Sequence, residues 1–375
     1  MKKHEPCTIP HVVHFVYGLK ENAPFGLQQY LALRSAWDVH RPTKLWVHYT
    51  HLPRPEPNGS HWWHEAKKFA TLRHVLPPTS IWGRPLLHYA HQSDVLRLQV
   101  VERWGGIYLD MDSISVRPLP PELRAQSALL GIQDTPRGGT TREHARWYGL
   151  CNAIFAAEPG APFIKQWLEE YRSFNSSGRD GQWDLLSVRR PADMYDERCP
   201  NDRCPAVHGG QCELLRALPS QAFFPVGWAH VEKAMFDASR WSWGARALRR
   251  SYAIHLWSQG TMPGWVDRLR TLDAARDWFR GSLYGEFAQR HVQLRAQGFR
   301  SDPPLYSPRP LRNHTPARHD EGFSLAHTLS SGLNLPDLPD TSSAALLAIA
   351  WLCVWLWSCV MMCAVSELKS RLARK

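Results

Sequence analysis

The chain has 375 residues and a mass of 43.0 kDa, with 43% hydrophobic and 21% charged residues. This composition is typical of globular proteins and excludes a wholly disordered, collagen-like or coiled-coil chain. The 45 basic and 34 acidic side chains give a net charge of +11, which allows a nucleic-acid binder, a membrane-surface protein or an enzyme for anionic substrates. Eight cysteines are too few for a disulfide scaffold.

Strands and helices are predicted to alternate through the first 110 residues. The elements are, in chain order, a buried strand over 9–17, a helix over 25–38, a strand over 45–49, a helix that ends at Trp104 before Gly105-Gly106, and a strand over 107–109. Alternation of this kind predicts an α/β fold with a mainly parallel sheet.

The C-terminal region carries a predicted membrane-spanning segment. The 26 residues between Asp340 and Glu367 contain no charged side chain, whereas about 20 apolar residues suffice to cross a bilayer. We predict a globular domain over 1–300, a proline-rich stalk over 301–342, a transmembrane helix over 343–366 and a basic tail over 367–375. The four basic residues of the tail favour a cytosolic location for it and place the domain across the membrane.

The start of the chain and its glycosylation patterns point in opposite directions. Met1-Lys2-Lys3 is not followed by an apolar stretch of the kind found in signal peptides, which favours a cytosolic domain. Three of the seven asparagines, Asn58, Asn175 and Asn313, stand in glycosylation patterns, which favours a lumenal one. We expect a single-pass protein with its domain in the lumen of the Golgi or endoplasmic reticulum, and a signal preceding the present sequence would account for the missing apolar stretch.

The segments most informative about chemistry are Ser93-Asp94-Val95-Leu96-Arg97 and Gly105-Gly106-Ile107-Tyr108-Leu109-Asp110-Met111-Asp112. Asp110 and Asp112 follow a strand at alternate positions, so both carboxylates can hold Mg²⁺ or Mn²⁺ against a diphosphate. Asp94 and Arg97 are neighbours on one helix face, where they can meet sugar hydroxyls and phosphate or ribose. An Asp-x-Asp pair alone is weak evidence, because acidic pairs at strand ends are commonly solvated turns.

Together the two segments resemble the signature of glycosyltransferase family 32. Ile9–Tyr17 is similar to the first strand of the family, which holds the nucleotide base. The Asn-Ala pair in Leu150-Cys151-Asn152-Ala153 and the His-Leu-Trp sequence at 255–257 are similar to later family segments, so the resemblance covers roughly residues 9–260.

The resemblance implies that residues 1–300 form a GT-A catalytic domain that uses Mn²⁺ or Mg²⁺. It implies transfer of a hexose, of mannose or galactose type, from GDP-mannose or a UDP-sugar to a glycan or glycolipid with retention of configuration. The residues that it implicates are Asp94, Asp110 and Asp112 in catalysis, Asp110, Asp112 and His255 in metal binding, and Phe15, Val16, Asp94, Arg97, Gly106, Tyr108, Asn152 and Trp257 in nucleotide-sugar binding.

Other interpretations remain open at this stage. His255 could be a core histidine, and Asn152 a cap or turn residue. An inositol-phosphoceramide mannosyltransferase and a non-catalytic membrane protein that binds nucleotide sugars or glycans are alternative functions. Nucleic-acid binding has no recognition motif to support it, so we expect no nucleic-acid partner.

Three further features allow more than one interpretation. Cys199, Cys204, His208 and Cys212 favour a disulfide over free thiols or a zinc site. The basic loop over 137–147 is either a lid or a solvated insertion. Tryptophans such as Trp241 and Trp243 could stack on sugar rings, although most tryptophans belong to the core.

Overall fold

The computed structural model describes residues 9–53, 60–134, 148–175, 184–199, 209–258 and 281–293, and all of them belong to one unit over residues 1–309. Its strands are β1 (Val12–Tyr17), β2 (Lys44–Tyr49), β3 (Thr71–His74), β4 (Ser80–Ile81), β5 (Arg84–Pro85), β6 (Gly106–Leu109), β7 (Ser113–Ser115), β8 (Ala128–Asp134), β9 (Tyr148–Ala157), β10 (Gly210–Gln211), β11 (Arg216–Leu218) and β12 (Ala253–His255). Its α-helices are α1 (Leu27–His40), α2 (Ser60–Ala66), α3 (Tyr89–Trp104), α4 (Pro121–Arg124), α5 (Pro162–Glu170), α6 (Arg190–Arg198), α7 (Val231–Phe236), α8 (Trp241–Leu248) and α9 (Leu283–Gln293).

Eight of these strands form one mixed sheet in the order β10-β11-β8-β9-β6-β1-β2-β3. Strands β1, β2, β3, β6, β8 and β11 share one direction, whereas β9 and β10 run against it. The predicted α/β fold with a mainly parallel sheet is therefore confirmed. The five elements predicted from the first 110 residues are also confirmed, with boundaries that differ by up to three residues.

The central strand β1 explains why the sheet is covered on both faces. Val13, Phe15 and Tyr17 pack into the core that includes the apolar side of α1, whereas Val16 packs with Val95 and other residues of α3. Successive side chains of a strand point to opposite faces, so one apolar strand serves two helical layers.

The predicted glycine stop between α3 and β6 is confirmed, and it depends on close backbone approach. Helix α3 ends at Trp104 and is capped by Gly105, whose φ is 61°, and Gly106 follows with a φ of 114°. A Cβ on Gly106 would lie 2.6 Å from the carbonyl oxygen of Val12. Only glycine fits this position, because any side chain would meet both strain and the β1 backbone.

A second, two-stranded sheet brings a distant part of the chain beside the end of β6. Strands β7 and β12 pair antiparallel, with Ser113 opposite His255 and Ser115 opposite Ala253. Sequence patterns did not predict this pairing, because each strand has only three residues. It fixes residues 253–258 next to the turn that carries Asp110 and Asp112.

Several predictions fall on residues outside the described ranges. These are the stalk over 301–342, the transmembrane helix over 343–366, the tail over 367–375 and the loop over 137–147. Among the described residues, no helix has the length and apolar character needed to span a bilayer. Cys199 forms a disulfide with Cys212, which confirms the disulfide interpretation for those two cysteines.

Candidate active site

The turn between β6 and β7 carries the two predicted metal ligands, and three backbone hydrogen bonds hold it in place. Asp110 donates its N–H to the carbonyl of Ala153 in β9 (2.9 Å), and its own carbonyl accepts from Ser113 N–H (2.9 Å). The carbonyl of Asp112 accepts from Leu256 N–H at 2.9 Å. Because β9 and the segment after β12 both hold the turn, the two carboxylates have little freedom to move.

Asp110, Asp112 and His255 converge at this turn. His255 Nε2 lies 3.0 Å from Asp112 Oδ1 and 3.7 Å from Asp110 Oδ2. One ligand atom from each residue lies within 4.8 Å of the other two. Two carboxylate oxygens and one imidazole nitrogen, all at least half-buried, form a donor set that fits Mn²⁺ or Mg²⁺.

In this cluster, the carboxylates favour the charged form of the histidine, and the histidine favours the charged form of Asp112. Burial alone would raise the pKa of Asp112, but the charge of His255 and hydrogen bonds from His255 and Ser258 outweigh burial and hold it at about 2. Burial would likewise lower the pKa of His255, yet its pKa is raised because Asp112 and Asp110 favour the charged ring. The carboxylate of Asp112 is therefore ionised at neutral pH.

Ser258 is a site residue that sequence reasoning missed. Its N–H and its hydroxyl both donate to Asp112 Oδ2, at 2.8 and 3.1 Å. These bonds occupy one carboxylate oxygen and leave Oδ1 directed to His255. The only sequence signal was its place directly after the His-Leu-Trp segment, and a backbone N–H donor leaves no signature in residue type.

Arg97 forms the centre of a buried network beneath Asp110. Its Nη1 donates to Asp110 Oδ2 (2.9 Å) and to the carbonyl and Oδ1 of Asn152 (3.2 and 3.3 Å). Its Nε and Nη2 donate to the carbonyl and hydroxyl of Ser93. Asp110, Tyr108 and Asp94 together raise the pKa of Arg97 although burial opposes this, so the guanidinium remains charged.

Asp94, Tyr108 and Asn152 complete the network. Asn152 Nδ2 donates to Asp94 Oδ1 at 3.0 Å, and Tyr108 donates its hydroxyl to Asp110 Oδ1 at 2.8 Å. Burial raises the pKa of Asp94 despite the neighbouring Arg97, which lies 3.5 Å away. The surroundings of Asp94 therefore favour the neutral form of its carboxyl group.

The remaining predicted site residues lie in three different surroundings. Trp257 packs against the His255 ring at 4.7 Å between centroids, so it belongs to the cluster. Phe15 and Val16 are buried on opposite faces of β1, in the packed cores. Gly106 stands beside Val12 and His14 rather than beside the carboxylates.

Comparison with known proteins agrees with this geometry. A family described as "Glycosyltransferase sugar-binding region containing DXD motif" matches residues 51–130, and an "Alpha 1,4-glycosyltransferase conserved region" matches residues 156–266. Glucan organizing enzyme 1 of Cryptococcus neoformans var. grubii is 33% identical over 276 residues, which are 71% of this chain and 67% of that protein. The chain belongs to glycosyltransferase family 32. As a family 32 glycosyltransferase, it carries the intact Asp-x-Asp motif within the first matched region.

More distant relatives match shorter regions. The human alpha-1,4-N-acetylglucosaminyltransferase is 27% identical over 46% of this chain and 44% of its own length. The rat lactosylceramide 4-alpha-galactosyltransferase is 28% identical over 45% of this chain and 42% of its own length. Among solved structures, the galactosyltransferase LgtC in complex with donor and acceptor sugar analogues aligns over 76% of this chain and 95% of its own, with 14% identity and a TM-score of 0.35.

Proposed function

We propose that this glycosyltransferase has a GT-A fold and requires a divalent metal to move a hexose from GDP-mannose or a UDP-sugar to a glycan or glycolipid. The observation that carries the proposal is the convergence of Asp110, Asp112 and His255 at the carboxyl end of β6. Mainly parallel sheets bind ligands at the carboxyl ends of their strands. The name of the rat relative, a galactosyltransferase acting on lactosylceramide, supports a hexose donor and a glycolipid acceptor.

Asp110, Asp112 and His255 are the residues that would hold Mn²⁺ or Mg²⁺. When bound, such an ion supplies neutralisation of the charge that develops on a departing diphosphate. The protein contributes fixed ligand positions: Tyr108 and Arg97 hold Asp110, and Ser258 holds Asp112. Ligands held in this way need no rearrangement when the donor arrives.

The network around Arg97 suggests a division of roles. All three guanidinium nitrogens of Arg97 donate to protein groups, which supports a positioning role rather than direct phosphate binding. Asp94 has one carboxylate oxygen bound by Asn152, and we assign it the role of accepting hydrogen bonds from hydroxyls of the donor sugar.

We propose that the configuration is retained because the acceptor oxygen attacks the anomeric carbon from the face that the diphosphate leaves (the front-face route). The bond between the anomeric carbon and the diphosphate oxygen breaks, the acceptor oxygen bonds to the same face of that carbon, and the departing diphosphate takes the acceptor proton. A double displacement would instead need a carboxylate nucleophile on the opposite face. Trapping of a covalent glycosyl-enzyme would contradict the front-face route.

Membrane anchoring through 343–366, with a lumenal catalytic domain in the Golgi or endoplasmic reticulum, is part of the proposal. Its support is the uncharged segment between Asp340 and Glu367 and the glycosylation patterns at Asn58, Asn175 and Asn313. Digestion with an N-glycosidase should increase the electrophoretic mobility of the expressed chain. A chain whose mobility is unchanged would argue for a cytosolic domain.

The activity test uses the full chain, Mn²⁺ and a panel of nucleotide sugars, and measures released nucleoside diphosphate. Asp110→Asn and Asp112→Asn should each abolish release, whereas Asp237→Asn should not, because Asp237 is an exposed carboxylate that bonds Ser239. Release without metal, or release that survives both active-site changes, would contradict the metal assignment. Binding of one nucleotide sugar without any turnover would favour the non-catalytic alternative.

A further inference from the structure

Three of the exposed tryptophans lie within one stretch of sixteen residues along the chain. Trp228 is 54% exposed, Trp241 39% and Trp243 38%, whereas Trp62 and Trp63 are buried in the core. Large apolar rings in water are unfavourable unless a ligand or partner covers them, so a local concentration of them marks a binding surface.

A turn that carries Trp228 and His230 brings this part of the chain to Trp243. Residues 227–230 form a turn in which His230 N–H donates to the carbonyl of Gly227 at 2.9 Å. The His230 ring contacts Trp243 at the start of α8, with ring centroids 6.5 Å apart. Trp228, His230 and Trp243 are called the aromatic patch below.

The turn with Trp228 and His230 follows β11, a strand of the same sheet as β6, after which Asp110, Asp112 and His255 converge. Strand β11 is parallel to β8 and thus to β6, and the patch turn follows the carboxyl end of β11. Phe224, in the same connection, contacts the rings of His255 at 6.2 Å and Trp257 at 5.9 Å. Trp228 is four residues after Phe224, so their Cα atoms are at most about 14 Å apart.

We propose that the aromatic patch binds the acceptor glycan, at sugar units beyond the one that receives the hexose. The flat rings of Trp228 and Trp243 match the apolar C–H face of a pyranose, and the imidazole of His230, beside Trp243, offers a hydrogen-bonding group. The Cα atom of Trp228 lies at most about 14 Å from that of Phe224, whose ring contacts His255, and a short oligosaccharide can span such a distance. This inference rests on the proposed function, because it assumes a glycan acceptor.

The test measures retention of lactose, maltotetraose and laminaritetraose on a column of the immobilised full chain. Trp228→Ala and Trp243→Ala should each weaken binding of the best retained saccharide by about 3- to 10-fold. Trp82→Ala is the matched control, because Trp82 is 47% exposed but lies at the turn between β4 and β5, where its Nε1–H donates to Leu168. It should leave retention unchanged.

A second assay measures the release of nucleoside diphosphate in the absence of acceptor. It distinguishes failure of this inference from failure of the proposed function. All three tryptophan variants should release nucleoside diphosphate at the wild-type rate; a wild-type chain that releases none from any donor contradicts the proposed function itself. Equal saccharide retention by all variants, or a wild-type chain that retains none of the three saccharides, would overturn the inference. Protection of residues 227–243 from hydrogen exchange by phosphatidylserine nanodiscs, with unchanged saccharide retention, would assign the patch to the membrane and also overturn it.

Discussion

Arg97 should be among the side chains whose removal destabilises the protein most. Replacing it with leucine leaves Asp94 and Asp110 without their common cation in a buried network. Removing one partner of a buried ion pair costs about 3–5 kcal/mol, because the remaining charge is neither solvated nor paired. At about 2–4 °C per kcal/mol for a domain of this size, Arg97→Leu should lower the melting temperature by about 10 °C.

The matched control for Arg97 is Arg190, which also bridges two carboxylates but does so near the surface. Arg190 pairs with Glu170 at 2.8 Å and Glu197 at 2.6 Å. Exposed pairs contribute about 0–1 kcal/mol, so Arg190→Leu should lower the melting temperature by only a few degrees. Thermal unfolding followed by circular dichroism measures both. Equal shifts for the two variants would refute the reasoning.

A second change sharpens the test of the Arg97 network. Adding Asp110→Asn to Arg97→Leu removes one of the two stranded charges, so it should restore part of the lost melting temperature. The same double variant should remain inactive, because Asp110 is a proposed metal ligand. A double variant that is less stable than Arg97→Leu would show that charge is not what destabilises the single variant.

Three further predictions concern the stability of the fold. Gly106→Ala should lower the free energy of unfolding by about 2–3 kcal/mol, and Gly83→Ala by less, because both have positive φ but only Gly106 has backbone within contact distance of the new Cβ; equal urea midpoints would contradict this. Burial lowers the pKa of His14 to about 4 and that of His48 to about 3, so the unfolded state binds more protons below pH 6.5. Stability should therefore be fully present above pH 6.5 and fall towards pH 4, by about 3 kcal/mol for His14 alone, and a flat profile of unfolding free energy against pH would refute this. Cys199→Ser removes a disulfide between residues 13 apart and should cost about 3 kcal/mol, and a reductant should then no longer lower the urea midpoint.

The sequence predicted those parts of the fold that depend on local pattern. Apolar runs marked β1, β2 and β6, and Gly105-Gly106 marked the end of α3, because strand apolarity and glycine conformations are properties of short segments. The spacing of Asp110 and Asp112 and the family resemblance likewise indicated the residues that converge with His255. Sequence pattern and family resemblance therefore predicted the fold class and the three residues that converge at the candidate site.

The features that sequence did not predict depend on contacts between distant segments. The antiparallel direction of β9 and the pairing of β7 with β12 depend on strands that are distant in sequence, which a local pattern does not identify. The surroundings of Arg97 are similar: the sequence showed only its spacing from Asp94, whereas the structure shows its guanidinium donating to Ser93, Asp110 and Asn152. Which groups surround a buried cation is a property of packing.

The pairing of β7 with β12 has a consequence for the order in which the site can form. Asp112 and Ser258 are joined by hydrogen bonds although 146 residues separate them. During synthesis the two carboxylates therefore leave the ribosome long before the histidine and serine that complete their surroundings, and contacts of such high sequence separation form slowly. Asp110, Asp112 and His255 therefore cannot come together until all eight strands of the main sheet have been synthesised, so an unfinished chain carries the Asp-x-Asp motif without the residues that complete the candidate site.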